Sequence, residues 1–239
     1  SRFINAPTSD LNPIISDSLK EVGIMSGVDR CRLSMFSADH QSFSVTHEWC
    51  RQGVTPQLEN MQNVPATKIS WATKQLLQSK IINIPAVNDL PDEAENEKHL
   101  LKQQGINSLL AISVEVSGRL VGYLGFASDA KSKHWDDTDL IILQLLAKIF
   151  SNFFERKKSE ASLMLQSSAL NAAANGIVIT GRDGTIEWVN MAFTELTGFS
   201  HDEVIGQNPR ILNSGLQDQS FYGNLWNFIK AGKVWKGEL

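Results

Sequence analysis

Residues 136–170 contain neither Pro nor Gly, and the next Gly along the chain is Gly176. The stretch opens on Trp135-Asp136-Asp137-Thr138-Asp139. Asp136 supplies an N-cap there, and the acids after it suit the positive end of a helix. Leu140, Leu143, Ala147, Phe150, Phe154, Lys157, Ala161, Met164 and Ser168 then recur at intervals of three and four. That is the spacing of a heptad seam, and it predicts pairing with a second copy of the chain. A helix of about 35 residues is about 50 Å long at 1.5 Å per residue. One domain core does not use up that length, so the stretch reads as a spine joining two folded units. Ile141, Ile142, Leu145, Leu146, Ile149 and Phe153 also require cover, so the first half packs on its own domain as well as on a partner chain. Beyond Glu155 only the seam remains, with Lys157 at a core position. A charge there weakens a coiled coil but fixes its register.

Before the spine, residues 8–25 read as a helix capped by Thr8 or Ser9, with Leu11, Ile14, Ile15, Leu19 and Val22 on one face and Gly23 and Gly27 at its end. Residues 31–37 alternate, with Cys31, Leu33 and Met35 together. Residues 43–50 alternate too, with Phe43, Val45, His47 and Trp49 on one face. Residues 51–70 have little period, and a connection of that length is often a functional lid. A short helix at 71–79, a strand at 81–84, a helix at 91–104 and two strands at 107–116 and 119–127 follow, the last two joined through Ser117-Gly118. This order gives a mostly antiparallel sheet covered by helices. After the spine come strands at 176–180 and 185–189, short helices at 190–196 and 201–205, a longer one at 220–231, and a strand opening at Val234. The fold class is α+β: an antiparallel sheet with flanking helices, a long connecting helix, and a smaller α/β unit.

Composition narrows the functions. An apolar content of 42% with 20% charged residues is that of ordinary globular protein. A net charge of −4 without a basic stripe argues against nucleic acid as a partner. The most apolar run, residues 140–150, is too short and too interrupted to span a bilayer, and no signal-peptide pattern opens the chain, so a cytoplasmic location is expected. The chain starts at Ser1 rather than Met, which reads as a piece of a longer protein. Cys31 and Cys50 sit in strand-like text and read as reduced, buried thiols. His47 lies near Cys50, but no second ligand pair completes a zinc set. Capping explains Asp136, Asp137 and Asp139 without a metal. There is no Gly-rich phosphate loop, no nucleophile elbow and no paired zinc histidine motif. No catalytic residue and no metal ligand is therefore expected, and this chain reads as non-enzymatic.

His47-Glu48-Trp49-Cys50, residues 82–91, Gln104-Gly105-Ile106-Asn107-Ser108, Gly122, Gly125 and Trp135 together resemble a bacterial sensory GAF domain. The resemblance implies a central antiparallel sheet with a pocket on one side and helices, often a dimer interface, on the other. The motif of cyclic-nucleotide binders and the Cys-His pair of bilin-attaching domains are absent, so no bilin is implied. Trp49, Met61 in the long loop and Trp71 are the candidate pocket residues. Residues 176–212 and 214–239 resemble the first strands, central helix and third strand of a PAS domain. The strands that would pair with its first strand are missing, which leaves that strand an open apolar edge. The domains implied are GAF over residues 5–150, a signalling helix over 151–172 and a partial PAS domain over 173–239. Pro209 stands where light-sensing flavin PAS domains hold a reactive cysteine, so no thiol–flavin adduct forms. Redox-sensing flavin PAS domains are similar through Asn208, Arg210, Tyr222, Trp226 and Trp235. By that resemblance Arg210 could meet a flavin phosphate and Asn208 or Trp235 could sit near the ring; the cofactor stays open between FAD in the complete domain and no ligand at all, with Trp226 and Trp235 as core.

Three functional readings follow. The first is a sensory module that binds a small molecule or partner and passes the signal along a dimeric helix to an output domain. By resemblance that output is a diguanylate cyclase, a cyclic-di-GMP phosphodiesterase or a histidine kinase. The second is a flavin redox sensor in the PAS half. The third is a ligand-free assembly module with its pockets filled by side chains.

Overall fold

A computed structural model describes residues 11–129, 132–213 and 215–237. The chain divides into two compact units, residues 1–159 and 160–239.

In the first unit, helix α1 (Leu11–Met25) buries Ile15 and Leu19; Thr8 and Ser9, expected to cap it, lie outside the described residues. The helix runs through Gly23, expected to end it, and stops before Gly27, whose φ of +58° suits a glycine terminator. Gly23 has a different task. A Cβ there would stand 2.2 Å from the Trp49 ring, so the missing side chain is what lets the indole lie against the helix.

The sheet comprises β1 (Arg30–Phe36), β2 (Ser42–Cys50), β3 (Val64–Pro65), β4 (Ile81–Ile84), β5 (Ser108–Val116) and β6 (Arg119–Ser128). Its order is β3-β2-β1-β6-β5-β4, with every pairing antiparallel. Ser117 and Gly118 turn the β5–β6 hairpin with φ of +52° and +73°, the two-residue turn whose twist matches its strands. Leu33 pairs with His47 but Ser34 with Val45, so Thr46 is an extra residue in β2. This bulge corrects the expectation that Phe43, Val45, His47 and Trp49 share a face. Phe43 and Val45 pack into one core, while Trp49 packs into the other. One inserted residue reverses the sidedness of everything beyond it.

The two faces carry two cores. On one, α1 and the long helix α4 (Asp137–Asn171) cover Cys31, Leu33, Leu110, Leu124 and Phe126. On the other, the connection after β2, α2 (Ser70–Ser79) and α3 (Glu95–Gln103) cover Phe43, Val45, Leu109, Ala111 and Tyr123. Asp136 caps α4, its Oδ1 accepting the Asp139 N–H at 2.8 Å. Trp135 wedges the corner before it, buried against Phe126, with its indole N–H donated to the Ile84 carbonyl at 3.4 Å.

Helix α4 has the expected length, 35 residues. The first half of the expected seam, from Leu140 to Phe154, is turned to the chain's own sheet. Leu143, Ala147 and Phe150 are buried in the helix-side core, and Leu140 and Phe154 pack half-buried against it. Lys157 and Ala161 are exposed. A three-four spacing marks any helix with one covered face, and here the cover is the chain's own sheet. The apolar line left exposed on this half of the helix is Ile141, Leu145 and Ile149.

In the second unit, β7 (Val178–Thr180) and β8 (Ile186–Val189) form a two-stranded antiparallel sheet. Helices α5 (Met191–Thr197), α6 (His201–Val204) and α7 (Gln219–Lys230) follow. Buried Asn190 ties the unit together: its Oδ1 accepts from Ile177 at 2.7 Å and Phe193 at 3.0 Å, and its Nδ2 donates to the Leu170 and Asn175 carbonyls. A Ser200–Glu203 capping box opens α6, and Asp218 caps α7. The strand expected from Val234 does not form among the described residues. A strand exists by pairing, and no strand lies beside it; Trp235 instead meets Phe221 edge-on, ring centres 5.4 Å apart. Ile179 of β7, Phe228 and Ile229 of α7, and Val234 stay exposed.

Candidate functional site

Strand alternation on β1 puts Cys31, Leu33 and Met35 toward α1 and α4, so Arg30, Arg32 and Ser34 point to the other face, where all three are buried. There a cavity of about 40 Å³ lies between the sheet, α2 and α3. Leu109, Ala111 and Ile84 of the sheet, Leu76 and Trp71 of α2 and Met61 of the connection make its wall mainly apolar. Three polar side chains join them: Arg32, Glu97 and Tyr123.

Each polar group is set by its surroundings. The Glu97 carboxylate, buried, accepts the Ala72 N–H at 3.1 Å in the first turn of α2. It caps that helix from across the cavity and meets its positive end. Burial pushes the Tyr123 phenol up, and the Arg32 cation nearby draws it partly back. The Arg32 guanidinium donates through Nη1 to the Gln104 side-chain oxygen at 2.6 Å, while its Nε is buried without a partner among the described residues. Glu48 pairs with Arg32 across the β1–β2 ladder. Its Oε2 is taken by the amides of Gln57 at 2.7 Å and Leu58 at 2.9 Å, which pins the long connection down. Arg30 is better served: Thr55 and Gln104 carbonyls accept from it, and Asp129 lies 3.4 Å away.

Of the three pocket residues expected from sequence, Met61 and Trp71 line this cavity. Trp49 does not; the Thr46 bulge turns it to the opposite face, against Gly23. Arg32, Glu97 and Tyr123 were not singled out. The available signal was Arg30-Cys31-Arg32 at the head of an alternating strand, which puts charge on a face the sheet must bury. His47 and Cys50 form no nucleophilic pair. Burial, with Glu48 adding to it, pushes the Cys50 thiol up to about 11, and His47 meets Asn12 and Thr46 instead. A larger open groove of about 670 Å³ runs between the β5–β6 turn and α4. Its charges answer one another: Lys80 pairs with Glu115 at 2.8 Å, and Ser117 donates to Glu155 at 3.2 Å.

The second unit has its own groove, about 480 Å³, lined by Asn208, Arg210, Tyr222, Leu225 and Trp226 among others. Asn208 caps the short turn at Pro209–Leu212, accepting the Arg210 N–H at 3.1 Å, and donates to the Gly184 carbonyl at 3.3 Å. Tyr222 donates to Asn213 at 2.9 Å. Trp235 is not among the lining residues; it packs on Phe221.

The family profile for the GAF domain matches residues 10–152. The chain belongs to the GAF domain family. The profile for the PAS fold matches residues 165–239, so a PAS domain follows the GAF domain. GAF and PAS domains are sensory rather than catalytic, and the chain is a sensory, regulatory module. It is similar to the methanogenesis regulatory histidine kinase FilI of Methanothrix harundinacea, 28% identical over 159 residues, 65% of this chain and 18% of that protein. It is also similar to the nitrogen fixation regulatory protein of Klebsiella pneumoniae, 31% identical over 67 residues, 28% of this chain and 14% of that protein. The chain thus spans less than a fifth of either relative. Among solved structures, the GAF3 domain of Slr1393 from Synechocystis sp. PCC6803 aligns with a TM-score of 0.56 at 20% identity, covering 64% of this chain and 99% of that one. A phycoerythrobilin-bound GAF domain from a cyanobacterial phytochrome aligns with a TM-score of 0.57 at 20% identity, over 67% of this chain and 92% of that one. These likenesses show a shared fold. Among the described residues, no helix is long and apolar enough to cross a membrane.

Proposed function

We propose that the GAF domain is a ligand-gated switch and that α4 carries its state toward the PAS domain. The observation behind this reading is the division of the sheet: the cavity, apolar apart from Arg32, Glu97 and Tyr123, lies on one face, and Leu143, Leu146 and Phe150 of α4 are seated on the other. Leu109 and Ala111 face the cavity while Leu110 and Ile112, alternating with them on β5, face the helix side. A ligand that changes the wall therefore acts on the same peptide planes that seat the helix. It shifts the switch only by its difference in affinity for the two states. The exposed line of Ile141, Leu145 and Ile149 pairs with the same line of a second copy. The parent is a cytoplasmic signalling protein, and similarity to FilI favours a histidine kinase output over cyclic-di-GMP chemistry. The deciding experiment measures solution mass with and without ligands that raise the melting temperature. A dimer that Leu145→Glu dissociates fits the reading; a monomer at all concentrations removes the paired-helix part.

A second reading, flavin binding by the complete PAS domain, draws on the convergence of Asn208, Arg210, Tyr222 and Trp226 in one groove. Arg210 forms no ion pair among the described residues and is exposed, so it is free to meet a phosphate. When bound, a flavin would supply redox chemistry, with Arg210 holding its phosphate end. Visible absorbance of the protein purified with the remaining PAS strands tests it; a colourless protein that takes up no added FAD removes it.

A further inference from the structure

Burying an arginine is costly. The guanidinium stays charged at any working pH, and a buried charge is tolerated when it is paired and hydrogen-bonded. Arg32 is 3% exposed, yet among the described residues its side chain makes one hydrogen bond, to Gln104, and no ion pair. No carboxylate closes on it among the described residues. Glu97 caps α2 and Asp129 stands by Arg30, while Glu48, across the ladder from Arg32, gives Oε2 to the connection's amides and keeps Oε1 buried without a hydrogen bond, forming no ion pair with Arg32. The open edge of the guanidinium is the one bearing Nε, which is buried and unpartnered, and Arg32 lines the cavity. The Nε edge of an arginine is a planar fork that receives the two oxygens of a carboxylate side by side.

Resting on the reading of this cavity as a ligand site, we propose that its ligand is a short-chain monocarboxylate whose carboxylate pairs with the Nε edge of Arg32. The volume sets the size. A water needs about 10–15 Å³ of such space, so 40 Å³ takes about three to four water-sized atoms in all, which is the size of acetate; propionate and butyrate require the wall to give. The wall sets the remainder of the molecule. Leu109, Ala111, Leu76 and Met61 offer an alkyl group apolar contact and offer a second charge nothing. Glu97 on the same cavity repels a second carboxylate, so dicarboxylates are rejected.

The test titrates the full 239-residue chain with sodium acetate, propionate and butyrate at constant ionic strength. The matching neutral amides, succinate and inorganic phosphate serve as comparisons, followed by calorimetry and ligand-observed NMR. Saturable binding of a monocarboxylate is expected, with its amide at least about tenfold weaker, the ratio that losing one charge-assisted hydrogen bond gives. Arg32→Met abolishes that binding, and Arg32→Lys, which keeps the charge without the fork, weakens it. Without ligand, Arg32→Met made in a Gln104→Leu background, so that no buried acceptor is stranded, melts no lower than Gln104→Leu alone, because an apolar side chain replaces an unpaired charge. A marked fall in its melting temperature would mean that the protein itself satisfies Arg32, and would overturn the proposal. So would phosphate or succinate binding as tightly as the monocarboxylates. If an amide binds as well as its acid and shifts resonances of Trp71 and Leu109, the Arg32 proposal falls while the cavity remains a ligand site. If no probe binds and Arg32→Met is destabilised in that background, both fall.

Discussion

Leu143→Ala and Leu145→Ala sit two residues apart on α4 and separate the two accounts of this helix. Leu143 is 0% exposed in the helix-side core, whereas Leu145 is 59% exposed. Truncating a fully buried leucine removes its transfer free energy and leaves a cavity, about 2–5 kcal/mol in sum. For a unit of this size each kcal/mol moves the melting temperature by about 2–4 °C. Leu143→Ala is therefore expected to cost about 3 kcal/mol, a fall of roughly 6–12 °C. Leu145→Ala in dilute solution changes stability by no more than about 0.5 kcal/mol. The assay is urea unfolding at two protein concentrations, with hydrogen exchange of β5 and β6 peptides assigning the loss to the first unit. An equal loss in the two variants at low concentration, or a loss below about 1 kcal/mol for Leu143→Ala, would refute the placement of the seam against its own sheet.

Other consequences are as direct. Gly23→Ala places a methyl into the Trp49 ring and should cost about 1–3 kcal/mol, a loss that Trp49→Leu in the same chain relieves; calorimetric melting of both checks this. Asn190→Ala removes a helix cap together with three further hydrogen bonds, so its cost should exceed the ~1 kcal/mol of an ordinary cap, read as faster proteolysis after residue 171. Burial pushes the Asp29 carboxyl up, but the Asp129 N–H, the Ser128 hydroxyl and Arg51 together hold it below the usual carboxylate range. Its stabilising contribution is thus fully present above the unfolded value, near 3.9, and is lost as pH falls through the lower folded value. Asp29→Asn should be less stable than the parent chain at pH about 7, and the gap should close on acidification.

Local signals in the sequence were reliable wherever one residue decides the backbone. Ser117-Gly118 marked its hairpin and Asp136 its helix cap. Sidedness was less legible. Alternation through residues 43–49 read as one face because a bulge has no sequence mark of its own, and Thr46 is an ordinary strand residue. The α4 seam was legible as a covered face, but periodicity does not name what covers it: the same Leu143, Ala147 and Phe150 serve a partner helix or a sheet equally well. The cavity was half legible. Met61 and Trp71 were reachable from their aromatic or loop setting, while Arg32 and Glu97 depend on which long-range partners they lack or find, and that is settled only when β1, α2 and α3 come together.

The central strands β1, β5 and β6 are buried on both faces, and this fixes which side of the cavity can yield. Their amides open only when the whole unit does, so their exchange reports global unfolding. Met61 and Trp71 belong to a wall made of a connection and one short helix, held by amide bonds to Glu48 and Glu97 and by the Val45 N–H donated to the Met61 carbonyl at 2.8 Å. We expect molecules to reach the cavity through that wall, at a rate set by how often it lifts. The ratio of exchange rates between residues 57–72 and β5 measures that frequency directly.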